Sequence, residues 1–320
     1  MSRLLAFLGG HATWVLFVGV FLGLALPSLS TLARPLLAPA VAVLLTATLV
    51  RIDWRFMLNH LRRPWSAAVI IIWLLIGAPL ATAGVLALVP LPTSLTTALV
   101  LMAAAPPILS AAPIAMMLGL DGALALVVGL IATLLTPLTV PPLALALLGL
   151  ELDIGITEFM VRLAVVVAIA LAAALVIRRA IGRERLPRLS RHLDGLVVVV
   201  MLVFAVAIMD GVTATLAERP TTVALWLLAA FVANPALQIA GALAFAWLGQ
   251  RRALTVGLVS GNCNMGLLLA AFPPDTDTDV VLYFAVAQLP MYMLPALLLP
   301  LYRRLVTPEP DSDSPSIRTG

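Results

Sequence analysis

The chain has 320 residues, of which 62% are hydrophobic and 11% charged, and it carries a formal net charge of +4. Soluble domains have about a quarter of their residues charged, so this composition excludes a soluble globular protein and indicates a polytopic membrane protein. The basic residues are all arginines, and they lie mainly in the connections that flank apolar stretches, so no nucleic-acid partner is indicated. The single cysteine, Cys263, excludes an intrachain disulfide.

Ten apolar stretches are long enough to cross a bilayer as helices, which takes about 20 residues each. They lie at 12–28, 36–51, 66–89, 93–119, 121–148, 156–181, 194–216, 220–248, 253–273 and 278–302. The fourth and the ninth are interrupted by proline, glycine or polar residues. The first lacks the small-residue cleavage site of a secretory signal, so we interpret it as a span. The sequence therefore predicts an all-α polytopic membrane protein with ten transmembrane helices.

The connections between the predicted spans alternate in charge. Arginines follow spans two, six, eight and ten, whereas acidic residues follow spans five and nine. Because arginine-rich short loops stay in the cytoplasm, both termini are predicted to be cytoplasmic, as an even number of spans also requires. The segment 51–65 mixes Trp and Phe with Arg, and fits either an interfacial helix or a solvated loop. Residues 306–320 are polar and predict a disordered cytoplasmic tail.

The ninth stretch contains GLVSGNCNMGLLLAAF at 257–272, in which polar residues interrupt an apolar run. Ser260, Asn262, Cys263 and Asn264 surround Gly261, the expected helix break. Backbone that leaves a helix at membrane depth must find partners in protein or in a water-lined cavity. Such breaks are typical of the binding centres of transporters. The alternative is a kinked helix whose asparagines bond to a neighbouring helix.

Proline spacing indicates an internal repeat. Pro137 and Pro290 are 153 residues apart, and the same number separates Pro107 from Ser260. Pro106 and Pro107 are the expected break of span four, which then matches the break of span nine. Two halves of five spans have opposite orientations, which is the plan of an inverted-repeat transporter that binds its solute between discontinuous helices. The alternative is a chance register in a proline-rich chain.

Three segments carry a family resemblance. Spans two and three are joined by LTATLVRIDWRFM, spans four and five contain APPILSAAPIAMMLGLDGALALVVGLIATLLTPLTVPP, and span nine contains SGNCNMGLLLAA. Together they resemble the bile acid:sodium symporter family and its bacterial relatives. The resemblance implies a bacterial inner-membrane protein in which helices 1–2 (residues 1–64) and 6–7 (151–219) form a panel. Helices 3–5 (65–150) and 8–10 (220–305) would form a core in which broken helices four and nine cross, and which moves against the panel during transport.

The sequence departs from the family where the resemblance places sodium ligands. The corresponding positions are here Leu74, Ala111, Ala112, Ala125, Gly129, Val259 and Cys263. A buried sodium ion needs several oxygen ligands and a compensating charge, as hard cations generally do. We therefore expect the two sodium sites of the family to be absent. The three histidines are not clustered, so no other metal site is predicted.

Neutral polar residues are the candidates for binding a solute. They are Ser110 beside the first break, Ser260, Asn262, Cys263 and Asn264 at the second, and Thr133 and Gln288 from spans five and ten. For Thr133 and Gln288 a role in core packing is an equal alternative. Helix N-termini at the breaks carry a partial positive charge, which favours a carboxylate or sulfate on an organic anion.

Ionisable residues at membrane depth are candidates for function by default. Arg162 and Asp210 lie towards the outer ends of spans six and seven. Two interpretations are open for them, an ion pair within the panel or a proton carrier. Asp121 precedes the fifth span and is predicted to cap its helix.

These features favour a secondary transporter that moves a small or amphipathic organic anion by alternating access without sodium coupling. Alternatives within transport are a sodium-coupled symporter with non-standard ligands and a sodium–proton antiporter, although the latter needs a buried acid at the crossing. A membrane sensor that binds a ligand without transporting it is an alternative of another class. The sequence contains no phosphate-binding loop or Ser/His/Asp arrangement, so we expect neither an enzyme nor a cofactor. The expected partners are the organic anion and the lipid bilayer.

Overall fold

The structure, a computed structural model, describes residues 12–52, 64–149, 155–182, 186–272 and 276–306. Within these ranges the chain is helical with short irregular connections and contains no β-strand. The predicted tail after residue 306 lies outside the described residues, as does the segment 53–63, for which an interfacial helix or a loop is expected.

The helices of the first half are α1 (Ala12–Ala25), α2 (Pro27–Ala33), α3 (Leu37–Arg51), α4 (Pro64–Ile72), α5 (Ala78–Leu86), α6 (Thr93–Ala104), α7 (Ala111–Met117) and α8 (Gly122–Leu148). Those of the second half are α9 (Ile156–Ile181), α10 (Leu186–Ala207), α11 (Val212–Glu218), α12 (Pro220–Ala244), α13 (Gln250–Gly261), α14 (Met265–Ala271), α15 (Thr278–Val286), α16 (Gln288–Leu297) and α17 (Leu299–Leu305). Short 3-10 turns join α2 to α3 and α12 to α13, at Arg34–Leu36 and Ala246–Leu248.

Seven helical stretches in the described part of the chain are long and apolar enough to cross a bilayer. They are Pro27–Arg51, Trp65–Leu86, Gly122–Leu148, Ile156–Ile181, Gly195–Glu218, Pro220–Ala244 and Thr278–Leu297. This agrees with the predicted class of polytopic α-helical membrane protein. The other three predicted spans contain shorter helices, since α1 has 14 residues and α6 and α13 have 12 each. A 12-residue helix rises only about 18 Å, against a hydrocarbon core of about 30 Å.

The two interrupted stretches share one plan. In each, a helix of 12 residues is followed by an irregular segment and a helix of seven residues. The first stretch consists of α6 and α7, and the second of α13 and α14.

A proline explains the π-helical turn at Trp73–Gly77, which joins α4 to α5. Pro79 has no backbone N–H, and its ring crowds the carbonyl one turn earlier, so the regular α-helical ladder cannot pass through this turn. The Trp73 indole of this turn donates from Nε1 to Ser260 Oγ at 3.0 Å. The π-helical turn is therefore tied to the helix that carries the second break.

Helix contacts occur both within and between the predicted panel and the predicted core. In the predicted panel (α1–α3 and α9–α11), α3 packs on α9 and α10, and α1 packs on α10. In the predicted core (α4–α8 and α12–α17), α12 packs along α13, and α6 packs against α5 and α15. Between the two sets, α8 packs on α9, and α14 contacts α3 and α9, so the second half of the ninth stretch lies where the two sets meet. The names panel and core denote these two predicted sets of helices.

Glycines allow α12 and α13 to approach each other closely. A side chain at Gly241 of α12 would clash with Ser260 Oγ, and a Cβ at Gly261 would lie 2.5 Å from the Asn234 carbonyl oxygen. Gly257 and Gly261 are four residues apart, the spacing at which small residues let membrane helices pack tightly. The two helices form a closely packed pair that carries the second break.

Candidate functional site

The helices of the fourth and ninth stretches both end at residues that disfavour helical backbone. α6 ends at Ala104, and Ala105 is extended, with φ −66° and ψ 141°, because a residue before proline disfavours the helical region. Pro106 and Pro107 then supply no N–H to continue the ladder. In the ninth stretch Gly261 is the last helical residue, and the irregular turn spans residues 262–264.

The two breaks pair with each other through their backbones. Pro107 and Cys263 form an antiparallel bridge. Hydrogen bonds run from the Ile108 N–H to the Asn262 carbonyl at 2.9 Å and from the Asn264 N–H to the Pro106 carbonyl at 2.6 Å. Groups without helical partners thus satisfy one another, which lipid could not do. The predicted helix-break residues therefore meet in one place.

Three polar side chains near the second break have partners inside the protein. Asn264 Oδ1 accepts from the Leu267 N–H at 3.2 Å and so caps α14. The Cys263 thiol is buried and donates to the Ser260 carbonyl at 3.2 Å. The Ser260 hydroxyl accepts the indole hydrogen bond of Trp73. These contacts fix the shape of the turn.

Asn262 is also buried, but only one end of its amide has a partner. Its Nδ2 donates to the Leu258 carbonyl at 2.8 Å. Among the described residues, its Oδ1 is the one buried side-chain nitrogen or oxygen without a hydrogen-bond partner. Leaving a buried acceptor unpaired costs about 1–3 kcal/mol. An unsatisfied buried acceptor in a native protein calls for an explanation, and a water molecule or a ligand that donates to Oδ1 would supply one.

A cavity of about 150 Å³ lies where the panel meets the paired breaks. The panel contributes apolar side chains such as Leu45 and Met201, and the core contributes Ser110, Asn264 and Gln288. The described residues that line it include neither an acidic residue nor an arginine. An apolar wall with a few neutral polar groups suits an amphipathic ligand. A volume of this size accommodates a molecule as large as benzene.

The predicted binding residues divide into two sets. Ser110, Asn264 and Gln288 line the cavity, whereas Ser260, Asn262, Cys263 and Thr133 do not. Gln288 is buried, and its Nε2 donates to the Phe284 carbonyl at 3.0 Å, which fixes the orientation of its amide. Thr133 is buried as well, and its hydroxyl donates to the Gly129 carbonyl one turn earlier. For Thr133 this geometry favours core packing.

The positions that hold sodium ligands in the resembling family contribute no side-chain oxygen. Leu74, Ala111, Ala112, Ala125 and Val259 are all buried and apolar. In the described ranges no group of three His, Cys, Asp or Glu side chains is placed to hold a metal ion. These five side chains themselves offer a cation neither an oxygen ligand nor a compensating carboxylate.

The predicted pairing of Arg162 with Asp210 is wrong. Arg162 pairs with Glu158 at 2.7 Å, and Asp210 pairs with Arg34 at 3.0 Å and accepts from the Thr31 hydroxyl at 2.7 Å. Glu158 and Arg162 are four residues apart on one helix, a spacing from which their pairing could be predicted. Arg34 has no such local relation to Asp210. The interpretation of either residue as a proton carrier stays a prediction.

Charged side chains outside the cavity stabilise the ends of helices. Asp121 Oδ1 accepts from the Leu124 N–H at 2.9 Å, which confirms its predicted role as the cap of α8. Arg219, at the start of α12, donates to both oxygens of Asp279 at 2.7 and 3.2 Å. The hydrogen bond and charge of this carboxylate raise the pKa of Arg219. These pairs stabilise the ends of helices and do not line the cavity.

A second cavity, of about 440 Å³, lies at the other end of α14. Arg34 and Asp210 line it from the panel, and Leu269 and Phe272 line it from the core. The first turn of α14 thus borders the smaller cavity and its last turn borders the larger one. Two cavities therefore lie along α14, one at each end.

A set of buried polar residues beside the second break was not predicted from the sequence. Asn234, Gln238 and Tyr302 form hydrogen bonds that lead to the Gly261 carbonyl. The sequence does carry a signal for two of them, because VANPALQIAG places two amides four residues apart in an apolar span. Trp73 was also missed, and a lone tryptophan in an apolar span gives no comparable signal.

No protein-family model and no curated protein matches the chain. The resemblance to the bile acid:sodium symporter family therefore depends on the sequence segments and the two helix breaks alone. The fold and the transport activity that it implies stay predictions for this chain.

Proposed function

We propose that this protein is a secondary transporter that moves a small or amphipathic organic anion by alternating access. The observation that supports the proposal most directly is the cavity between the panel and the paired helix breaks. Transporters bind solutes where broken helices meet at membrane depth. The cavity would present an apolar wall to the body of the solute and neutral hydroxyl and amide groups to its polar end.

The charge of the lining supports an anion rather than a cation. A cation in this cavity would have no carboxylate to compensate its charge, since none of the described residues that line it is acidic. Met265 and Gly266, the first residues of α14, line the cavity, and the start of a helix carries a partial positive charge.

We further propose that the chain crosses a bacterial inner membrane ten times as two inverted halves, with both termini in the cytoplasm. Support comes from the shared 12-plus-seven plan of the two interrupted stretches, from the proline spacing and from the arginine-rich connections.

In this mechanism sodium does not drive transport, because apolar side chains occupy the positions of the family's sodium ligands. The test is uptake of organic anions by liposomes that contain the purified protein, with candidate anions first selected by thermal shift. We expect accumulation that is unchanged when sodium is replaced by choline. Flux that rises steeply with a sodium gradient would contradict uncoupled transport. Binding without accumulation would instead identify a ligand sensor.

A further inference from the structure

Buried polar side chains form a continuous hydrogen-bonded path from α17 to the second break. The Tyr302 hydroxyl donates to Gln238 Oε1 at 2.7 Å. Gln238 Nε2 donates to Asn234 Oδ1 at 2.6 Å, and Asn234 Nδ2 donates to the Gly261 carbonyl at 2.8 Å. All three side chains are buried. We call Tyr302, Gln238 and Asn234 the polar strut.

The donors and acceptors of the polar strut are consistent in only one direction. Each amide accepts through its oxygen and donates through its nitrogen, and the path ends on a carbonyl, which can only accept. Flipping either amide would place two oxygens or two N–H groups against each other. The strut therefore fixes the rotation of both amides as well as their positions.

The strut ends at the residue where the helix stops. Gly261 is the last residue of α13, and a carbonyl at a helix C-terminus has no partner within its own helix. On the other side of the turn, the Asn262 carbonyl accepts from Ile108 of the first break. The turn at residues 262–264 is thus held from two sides, by the first break and by the strut.

We propose that Tyr302, Gln238 and Asn234 are positioning residues for the binding centre. By holding the Gly261 carbonyl they set the place of the turn, and with it Asn264, which caps α14 and lines the cavity. The end of α17 is thereby coupled to the binding turn although it contributes no residue to the cavity. This role deepens the proposed transport function, and its consequence for ligand affinity rests on that function.

The chain contains a cysteine that can report on the turn, and a second buried tyrosine that provides a matched control for Tyr302. Cys263, the only cysteine, is buried in the turn itself, so its alkylation by a maleimide measures opening of the turn. Tyr302→Phe removes the first donor of the strut and leaves Gln238 Oε1 without it. Tyr283→Phe removes the same atom from another buried tyrosine of the core, whose hydroxyl contacts Met102 Sδ at 3.0 Å outside the strut.

The experiment compares maleimide labelling rates and thermal unfolding for wild type and both variants of the full-length chain. We expect Tyr302→Phe to label Cys263 about five- to tenfold faster than wild type, because a buried acceptor has lost its donor. Tyr283→Phe should stay within about twofold of wild type, since its hydroxyl is outside the strut. Equal labelling of Tyr302→Phe and wild type would overturn the proposal. An equal increase of the labelling rate in both variants, in proportion to their loss of thermal stability, would overturn it as well.

Ligand binding separates this inference from the proposed function. An anion that stabilises wild type should bind Tyr302→Phe more weakly and Tyr283→Phe unchanged. If such an anion binds all three proteins equally, the strut does not position the binding centre. A third outcome is that no organic anion stabilises wild type, while labelling of Cys263 is still faster in Tyr302→Phe alone. The transport proposal then fails, and the role of the strut in positioning the turn is upheld.

Discussion

Two buried asparagines near the second break have different bonding. Asn234 bonds both to Gln238 and to the Gly261 carbonyl, whereas Asn262 has one side-chain bond and an unpaired oxygen. The Leu258 carbonyl, which accepts from Asn262 Nδ2, also accepts from the Asn262 backbone N–H. Replacing Asn262 by alanine therefore leaves no group unpaired. We expect Asn234→Ala to destabilise the protein by about 1–3 kcal/mol and Asn262→Ala by clearly less.

Thermal unfolding of the two variants measures this difference. Both substitutions delete the same side-chain atoms at buried positions, so each variant is the control for the other and most of the cost of the cavity they leave cancels. A larger loss of stability for Asn262→Ala than for Asn234→Ala would show that the unpaired oxygen has a partner.

For Gln288 and Thr133 the sequence leaves solute binding and core packing as equal alternatives. The structure places the two residues differently. Gln288 lines the cavity, whereas Thr133 bonds to its own helix. We expect Gln288→Leu to weaken binding of the transported anion about tenfold, as loss of one polar contact does, and Thr133→Val to leave it unchanged. Dissociation constants from ligand-dependent thermal shifts provide the measurement. A loss of affinity in Thr133→Val comparable to that in Gln288→Leu would move the binding site away from this cavity.

At the scale of helices, the pairing of α12 with α13 depends on glycine at the contact. A Cβ at Gly241 would clash with Ser260 Oγ and lie 3.1 Å from the Val256 carbonyl oxygen, so backbone has to move. We expect Gly241→Ala to cost about 1–3 kcal/mol, the range of overpacking substitutions. A Cβ at Gly84, within α5, would have no atom within 4 Å apart from the backbone of its own helix and its chain neighbours. Gly84→Ala should therefore stabilise the protein by about 0.5–1 kcal/mol.

Chemical denaturation of the two alanine variants in detergent tests this contrast, with Gly84→Ala as the matched control for the same substitution. A neutral Gly241→Ala variant would show that α12 and α13 can separate without cost. Close packing of α12 against α13 would then not hold the strut and the second break in place.

The helix breaks could be predicted from the sequence because their causes are local. Adjacent prolines remove two backbone donors at Pro106 and Pro107, and the run from Gly261 to Asn264 cannot continue an apolar helix. The partners of charged and polar groups could not be predicted in the same way. Arg34 meets Asp210, and Tyr302 reaches Gln238, only because helices distant in sequence pack together. The composition of the cavity depends on the same packing.

At the scale of the whole molecule, the proposed alternating access requires the boundary between the predicted panel and the predicted core to change. The boundary is closely packed where Phe204 of α10 meets α14, since a Cβ at Gly266 would lie 3.1 Å from the Phe204 ring. Cavities border the first and last turns of α14. The contact between Phe204 and Gly266 is therefore a point at which linking panel and core should stop any movement between them.

Paired cysteines test this movement in a Cys263→Ala background. We expect Phe204→Cys combined with Gly266→Cys to lose uptake when a short bifunctional thiosulfonate links the two thiols, and to regain it on reduction. The control pair, Ser94→Cys with Asp277→Cys, replaces two residues that are hydrogen-bonded at 2.6 Å within the core, so its link should leave uptake intact. Uptake that persists with the first pair fully linked would mean that the solute crosses without movement at this boundary. Loss of uptake with both pairs would place the motion inside the core, and the division into a fixed panel and a moving core would be wrong.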